Sequence, residues 1–134
     1  MYHLGLKEEI HEIETEDSLM IKELKDWVLQ LGEVTEAPHR FGGTEFRVQN
    51  QELMHNHGPR HLDIRLSKED QERMLKEGKA EPHMFAPQAG WITYRIRSDD
   101  DLETAKELVR LAYDNARKTV AGIQKGKVDH QKLQ

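Results

Sequence analysis

Apolar and polar residues alternate in the middle of the chain, and this pattern predicts a sheet. The alternation is clear over residues 44–48 and 61–66 and returns over residues 91–96. A period of two places successive side chains on opposite faces of a strand, so each segment has one apolar face. Residues 52–57 fit a return strand between the first two segments. We therefore predict an antiparallel sheet of about four strands.

Helical periodicity flanks this sheet on both sides. Apolar residues near every fourth position predict an amphipathic helix over residues 18–31, which ends at Gly32. Ser67 is followed by acidic residues and is typical of a helix start, and Gly78 ends that helix. Ser98 and three aspartates begin a long C-terminal helix, which we expect to cover the aliphatic face of the sheet.

Four segments are less regular. Residues 1–16 fit either a short helix or a mobile leader, and residues 33–38 fit either a connector or a short edge strand. Residues 79–90 contain two prolines and a glycine and are typical of a loop. We expect residues 126–134 to fray. The 134 residues together suit a single α+β domain.

The alternation also assigns side chains to the two faces. We expect the long helix to cover an apolar face formed by Phe46, Val48, Leu62, Ile64, Ile92 and Tyr94. In the return strand, His55 and His57 share one face with Leu53, while Met54 and Asn56 share the other. We place the two histidines on the polar face. Trp91 falls on that polar face as well, and a large exposed aromatic ring calls for a cover, such as a ligand, the N-terminal helix or a second subunit.

Charge and composition narrow the function classes. The net charge is −5, and residues 1–38 alone hold 3 Lys and Arg against 10 Asp and Glu. This acidic balance disfavours non-specific binding to nucleic acid. The absence of cysteine excludes disulfides, thiolate metal sites and cysteine nucleophiles. No apolar run is long enough for a membrane span and no signal pattern is present, so we expect a cytoplasmic protein without membrane contact.

A set of short motifs, taken in order, resembles the small luciferase domain family. The motifs are Pro38-His39-Arg40-Phe41-Gly42-Gly43 with Glu45-Phe46, His55-Asn56-His57-Gly58, Asp63-Ile64, Glu81-Pro82-His83 and Gly90-Trp91-Ile92. The resemblance covers about residues 27–116. Met54 departs from it, because glycine is expected there. The resemblance implies a domain of unassigned biochemistry without catalytic residues to carry over, and the family name implies no light-emitting chemistry. We expect a small binding or accessory domain.

The order of elements is also similar to the MmcQ/YjbR-like fold. Three strands, a helix, a strand that begins with Gly-Trp and a final helix with a late tyrosine, Tyr113, carry this resemblance. It implies an α+β sheet with the C-terminal helix packed on one side. A shared fold argues only weakly for a shared function.

The polar face of the sheet is the candidate binding site. Arginines bind carboxylates and phosphates through paired donors, and a tryptophan offers a flat apolar platform. We therefore predict a site for a small anionic or aromatic ligand. Its candidate residues, from strands and loops, are His39, Arg40, Arg47, His55, His57, His61, Asp63, Arg65, His83, Trp91 and Arg95. The alternative is a solvated face with charge pairs across the strands.

Two further functions stay open. His55 and His57, two residues apart on a strand, can share a divalent metal ion, with His61 or Asp63 as a third ligand and a position left for water. This predicts a metal-assisted enzyme; no other cofactor is predicted. A face with one tryptophan and three arginines can also stack on and neutralise a nucleic-acid strand. The sequence contains no nucleophile elbow, phosphate-binding glycine loop or zinc-protease helix. A homodimer is possible through the N-terminal helices.

Overall fold

Six antiparallel strands form one sheet, with helices at its edge and on one face. The computed structural model describes residues 15–39, 42–84 and 86–133, with side chains as far as residue 126. The strands are β1 (Val34–Pro38), β2 (Thr44–Val48), β3 (Gln51–His57), β4 (His61–Arg65), β5 (Glu81–Pro82) and β6 (Trp91–Arg95). The helices are α1 (Glu16–Leu29), α2 (Lys68–Lys76) and α3 (Asp99–Leu133), and a 3-10 turn spans Pro87–Ala89.

The strand order is β1-β2-β3-β4-β6-β5, and all neighbours are antiparallel. The α+β architecture is confirmed, but the expected count of about four strands was too low. The two additional strands, β1 and β5, lie at the two edges of the sheet. Both end in proline, which cannot donate to a strand ladder, and β5 has only two residues. For residues 33–38, the structure agrees with the edge strand and not with the connector.

A β-bulge in β3 decides which face each of its side chains occupies. Phe46 pairs with Met54 but Arg47 pairs with Glu52, so Leu53 is the extra residue of β3. Leu53 and Met54 are consecutive, and both are fully buried in the hydrophobic core. The expectation that Leu53 shares a face with the two histidines was therefore wrong, because the bulge breaks the period of two at this point.

The core lies between one face of the sheet and the helices. The long helix α3 packs against β2, β3 and β4, while α1 contacts α3 and the edge strand β1. Trp27, on α1, packs against this core. The buried apolar residues of the sheet and of α3 include Phe46, Val48, Leu62, Ile64, Ile92, Ile96, Leu102, Ala105, Leu108, Val109 and Ala112.

The ends of the chain leave two expectations open. Residues 1–14 lie outside the described residues, so the choice between a leader and a short helix stays a prediction. Helix α3 is described through Leu133, and fraying of residues 126–134 is likewise untested. Among the described residues, no helix combines the length and the apolar character needed to cross a bilayer.

Candidate functional site

Asp63, in the middle of β4, is the centre of the polar cluster. Its carboxylate is 5% exposed and is surrounded by donors on both oxygens. Oδ1 accepts hydrogen bonds from Thr93 Oγ1 at 2.8 Å and from His61 Nε2 at 3.0 Å. Oδ2 faces three imidazoles, with His55 Nε2 at 3.0 Å, His57 Nε2 at 3.3 Å and His83 Nε2 at 3.5 Å. We call the side of the sheet that carries Asp63 and these imidazoles the histidine face.

Strand register brings most of this cluster together. His55 lies opposite Asp63 and His57 lies opposite His61 across β3 and β4, while Thr93 on β6 lies opposite Asp63 on its other side. Residues directly opposite in antiparallel strands project to the same face. The placement of His55 and His57 on the polar face therefore agrees with the structure.

His55 is held between two carboxylates. Its Nδ1 lies 2.8 Å from Glu52 Oε1, and its Nε2 lies 3.0 Å from Asp63 Oδ2. Burial favours the neutral imidazole, but the hydrogen bonds to Asp63 and Glu52 outweigh it and raise the pKa of His55 to about 9. Burial also opposes ionisation of Asp63, yet hydrogen bonds from His55 and Thr93 hold its pKa well below the ordinary value. Without a metal ion, His55 is thus an imidazolium at neutral pH.

His57 is the neutral counterpart of His55. It is the more exposed of the two, with 33% of its side chain accessible. Burial and the positive charge of His55 lower its pKa, although Asp63 opposes this effect. Two neighbouring imidazoles on one carboxylate thus hold different protonation states, which is the usual result when one charge repels a second.

A tight turn carries His39 onto the cluster. The backbone N–H of His39 donates to Gly43 O, and the N–H of Gly42 donates to His39 O. Gly43 has φ of +78°, and a Cβ there would lie 1.8 Å from Asn56 O, so only glycine fits. His39 consequently stacks on His55 with ring centroids 4.0 Å apart and an angle of 10° between the planes.

His83 and Trp91 close another side of the cluster. The Trp91 ring lies 5.2 Å from the His55 ring and 5.9 Å from the His83 ring, and it is half-buried. The N–H of Ala86 donates to His83 Nδ1 at 3.0 Å. In the neutral ring the proton is therefore on Nε2, which faces Asp63. Trp91 lies beside the imidazoles and not in the apolar core.

The predicted arginines lie at the margin of the cluster. Arg47 pairs with Glu45, and Arg95 approaches Glu81 at 3.6 Å. Arg65 Nε donates to the carbonyl of Ala89 at 3.4 Å. Arg40 lies outside the described residues. The structure thus brings together the imidazoles, Asp63 and Trp91, but it does not direct these three arginines to one point.

Three polar residues outside the predicted set belong to the site, namely Glu45, Glu52 and Thr93. Glu52 bonds to His55, while Glu45 lies 3.3 Å from His39 Nδ1 and also pairs with Arg47. Burial raises the pKa of Glu45, but the hydrogen bonds from Arg47 and His39 outweigh it and lower that pKa. The alternation of β2 signals the position of Glu45, and that of β6 signals Thr93. Glu52 reaches the histidine face because of the bulge, which the sequence does not reveal.

Three overlapping groups of residues in the described chain could hold a metal ion. Within each group, the potential ligand atoms all lie within 4.8 Å of one another. The groups are His55, Asp63 and His83; His39, His55 and His57; and His39, Glu45 and Glu52. Two ligands about 2.0–2.1 Å from a tetrahedral ion lie about 3.3 Å apart. The distances from Asp63 Oδ2 to His55 Nε2 and to His57 Nε2 are 3.0 and 3.3 Å, close to that separation.

Ring orientation selects among these histidines. An imidazole binds a metal along the lone pair in its ring plane. The His39 and His55 planes are stacked and nearly parallel, so their in-plane lone pairs do not meet at a nearby ion, whereas the His55 and His57 planes are inclined by 81°. His83 uses its Nδ1 lone pair for Ala86 and faces Asp63 with an N–H. The ring geometry therefore favours His55 and His57, and the Nε2 atom of each lies within 3.3 Å of Asp63 Oδ2.

Comparison with known proteins agrees with the motifs. Residues 50–112 match the family model described as the luciferase domain. This match confirms the resemblance to the luciferase domain family for that segment. No curated protein and no solved structure matches the chain.

The luciferase domain segment contains most of the cluster. It includes both histidines of β3, Asp63 of β4, Thr93 of β6 and the loop residue His83. His39 lies before its first residue. The three ligand candidates therefore all lie in the part of the chain that matches the family.

Proposed function

We propose that this domain binds a divalent transition-metal ion on the histidine face, with His55, His57 and Asp63 as its ligands. The observation that supports the proposal is the approach of two imidazole Nε2 atoms to one carboxylate oxygen, at 3.0 and 3.3 Å. Two histidines and one carboxylate form a ligand set that binds zinc or ferrous iron and leaves coordination positions open.

Groups around the ligands support this assignment. Glu52 lies 2.8 Å from His55 Nδ1, the arrangement in which a carboxylate orients a metal-binding imidazole and increases its basicity. Thr93 and His61 occupy Oδ1 of Asp63 and leave Oδ2 to the proposed ion. In the metal-free protein a proton on His55 supplies positive charge between the two carboxylates, and a metal ion would replace it.

The open positions suit a small ligand. An ion held by three protein groups can bind water or an anionic group of a small molecule, and it polarises what it binds. Trp91 flanks His55 and offers a flat apolar wall for such a molecule. The site would thus recognise an anionic or aromatic compound through the ion and the indole ring. It would not depend on the arginines at its margin.

A zinc titration tests the proposal. Tag-free protein, stripped with a chelator, is titrated calorimetrically with zinc at neutral pH. We expect one ion per chain for the wild type and a loss of at least about tenfold in affinity for His55→Gln and for His57→Gln.

His61→Gln is the matched control. His61 contacts the other oxygen of the same carboxylate and is not a proposed ligand, so this variant should lose less affinity than either ligand variant does. Circular dichroism establishes that each variant folds. The absence of stoichiometric zinc in the wild type, or an unchanged affinity in folded His57→Gln, contradicts the proposal.

A further inference from the structure

A separate cavity of about 190 Å³ lies between the sheet and the long helix. Its walls come from the start of β3, the end of β4, the first turn of α2 and the middle of α3. On α3 the space exists because Ala112 and Ala116, one turn apart, face it with only a methyl group each. The cavity is below the usual size range for a drug-sized ligand, about 300–1,000 Å³. It would hold only a small molecule or one end of a larger one.

Two cations line this cavity. Arg65, half-buried, donates to the carbonyl of Ala89 at 3.4 Å, and exposed Lys68 donates to the carbonyl of Pro87 at 3.3 Å. Neither forms an ion pair with a carboxylate anywhere in the described part of the chain. The other arginines of the sheet differ, because Arg47 and Arg95 each approach a glutamate.

The remaining polar lining is compatible with an anion. Gln51, Asn115 and Thr119 place neutral polar side chains around the space. Glu52 is the one carboxylate among the residues that line it, and its Oε1 lies 2.8 Å from His55 Nδ1. That carboxylate is thus engaged with an imidazole, while the two cations have only neutral carbonyl oxygens as acceptors.

We propose that this cavity binds a small oxyanion, a phosphate or carboxylate group, through Arg65 and Lys68. A guanidinium offers paired donors for such a group and an ammonium adds a compact positive charge. The site adjoins the metal site through Glu52, but it has its own cations and does not depend on the ion. It also gives Arg65, which donates to the carbonyl of Ala89, the anion-binding role that its residue type suggests.

Titration of metal-free protein with inorganic phosphate, in the presence of a chelator, tests this proposal. Backbone amide shifts of residues 65–68 and 115–119 are followed by NMR. We expect saturable shifts in the wild type, with affinity reduced on the order of tenfold in Arg65→Gln and in Lys68→Gln. Lys76→Gln, on the same helix, and Arg95→Gln, at an exposed position of β6, remove the same charge elsewhere and should bind as the wild type does.

A parallel titration with acetate distinguishes the two kinds of oxyanion. Saturation by phosphate alone identifies a phosphate group as the ligand, and saturation by acetate alone identifies a carboxylate. Shifts with neither anion in the wild type overturn the proposal. So does unchanged affinity in folded Arg65→Gln and Lys68→Gln. Because zinc is absent throughout, failure here leaves the metal proposal unaffected.

Discussion

The two faces of the sheet are stabilised by different means, although the same strands build both. Ile64 and Asp63 are neighbours on β4, and each is almost completely buried. Ile64 packs among apolar side chains beneath α3. Asp63 is surrounded mainly by imidazoles, one of which, His83, comes from a loop, while His39 from another loop stacks on His55.

This difference shows where function can be placed. An apolar face needs only volume and shape, and many residues meet that requirement. A buried carboxylate requires partners with defined geometry, because an unsatisfied charge inside a protein is costly. Within residues 15–39, 42–84 and 86–126, every buried side-chain nitrogen and oxygen has a hydrogen-bond partner. The histidine face meets that requirement with titratable imidazoles, a residue type that also binds metal ions.

Among changes on the histidine face, replacement of Asp63 should have the largest effect. Asp63→Asn leaves His55 without its main counter-charge, and we expect a loss of about 3 kcal/mol in the free energy of unfolding at pH 7, together with loss of zinc binding. Denaturant unfolding and zinc titration measure the two effects.

The neighbouring residue Ile64 supplies the matched control. Ile64→Ala should cost about 2–5 kcal/mol through the cavity it leaves, and zinc affinity should persist because the residue faces the core. If both variants lose stability but keep zinc, the two faces do not differ in the way described.

The charge on His55 predicts a smaller, pH-dependent effect. Its pKa rises from 6.5 to about 9 on folding. The stabilisation is therefore complete below about pH 6.5 and is lost as the pH rises through about 9, with a magnitude of at most about 3 kcal/mol. Unfolding of the chelated protein, measured from pH 6 to 10, should show this decline.

His55→Gln provides the control for the pH effect. Glutamine does not titrate, so the decline between pH 6.5 and 9 should largely disappear in this variant. A wild-type stability that is flat across the same window would show that His55 is not charged in the folded protein.

The smallest change in the free energy of unfolding is expected for an exposed ion pair. Arg110 and Asp114 lie one turn apart on α3 with more than half of each side chain accessible, at 58% and 52%. Asp114→Asn should change the free energy of unfolding by less than about 0.5 kcal/mol, because solvent screens the pair. Urea unfolding measures it, and a cost comparable to that of Asp63→Asn would remove the contrast between buried and exposed charges.

Much of this arrangement could be predicted from the period of the strands. Alternation on β2, β4 and β6 assigns Phe46, Asp63 and Trp91 to their observed faces, because regular pairing keeps a period of two. The long helix follows from its own periodicity. The loops that carry His39 and His83 could be proposed as covers since both are rich in glycine or proline and flank the strands.

The remainder depends on pairing between distant residues. The bulge at Leu53 results from how β2 and β3 align, and no residue in β3 signals it. It directs Glu52 toward His55 and so supplies the carboxylate that charges that imidazole. The edge strands β1 and β5 likewise form by pairing with β2 and β6, and their own sequences show no alternation. Local periodicity contains no information on such alignments.

The most direct test of the central claim is the position of a metal ion in crystals of the protein grown with zinc. Data collected on either side of the zinc absorption edge give an anomalous difference map. The account predicts one peak per chain, about 2.0–2.2 Å from His55 Nε2, His57 Nε2 and an oxygen of Asp63. A map without a peak on the histidine face, or with a peak bound by other residues only, would contradict it.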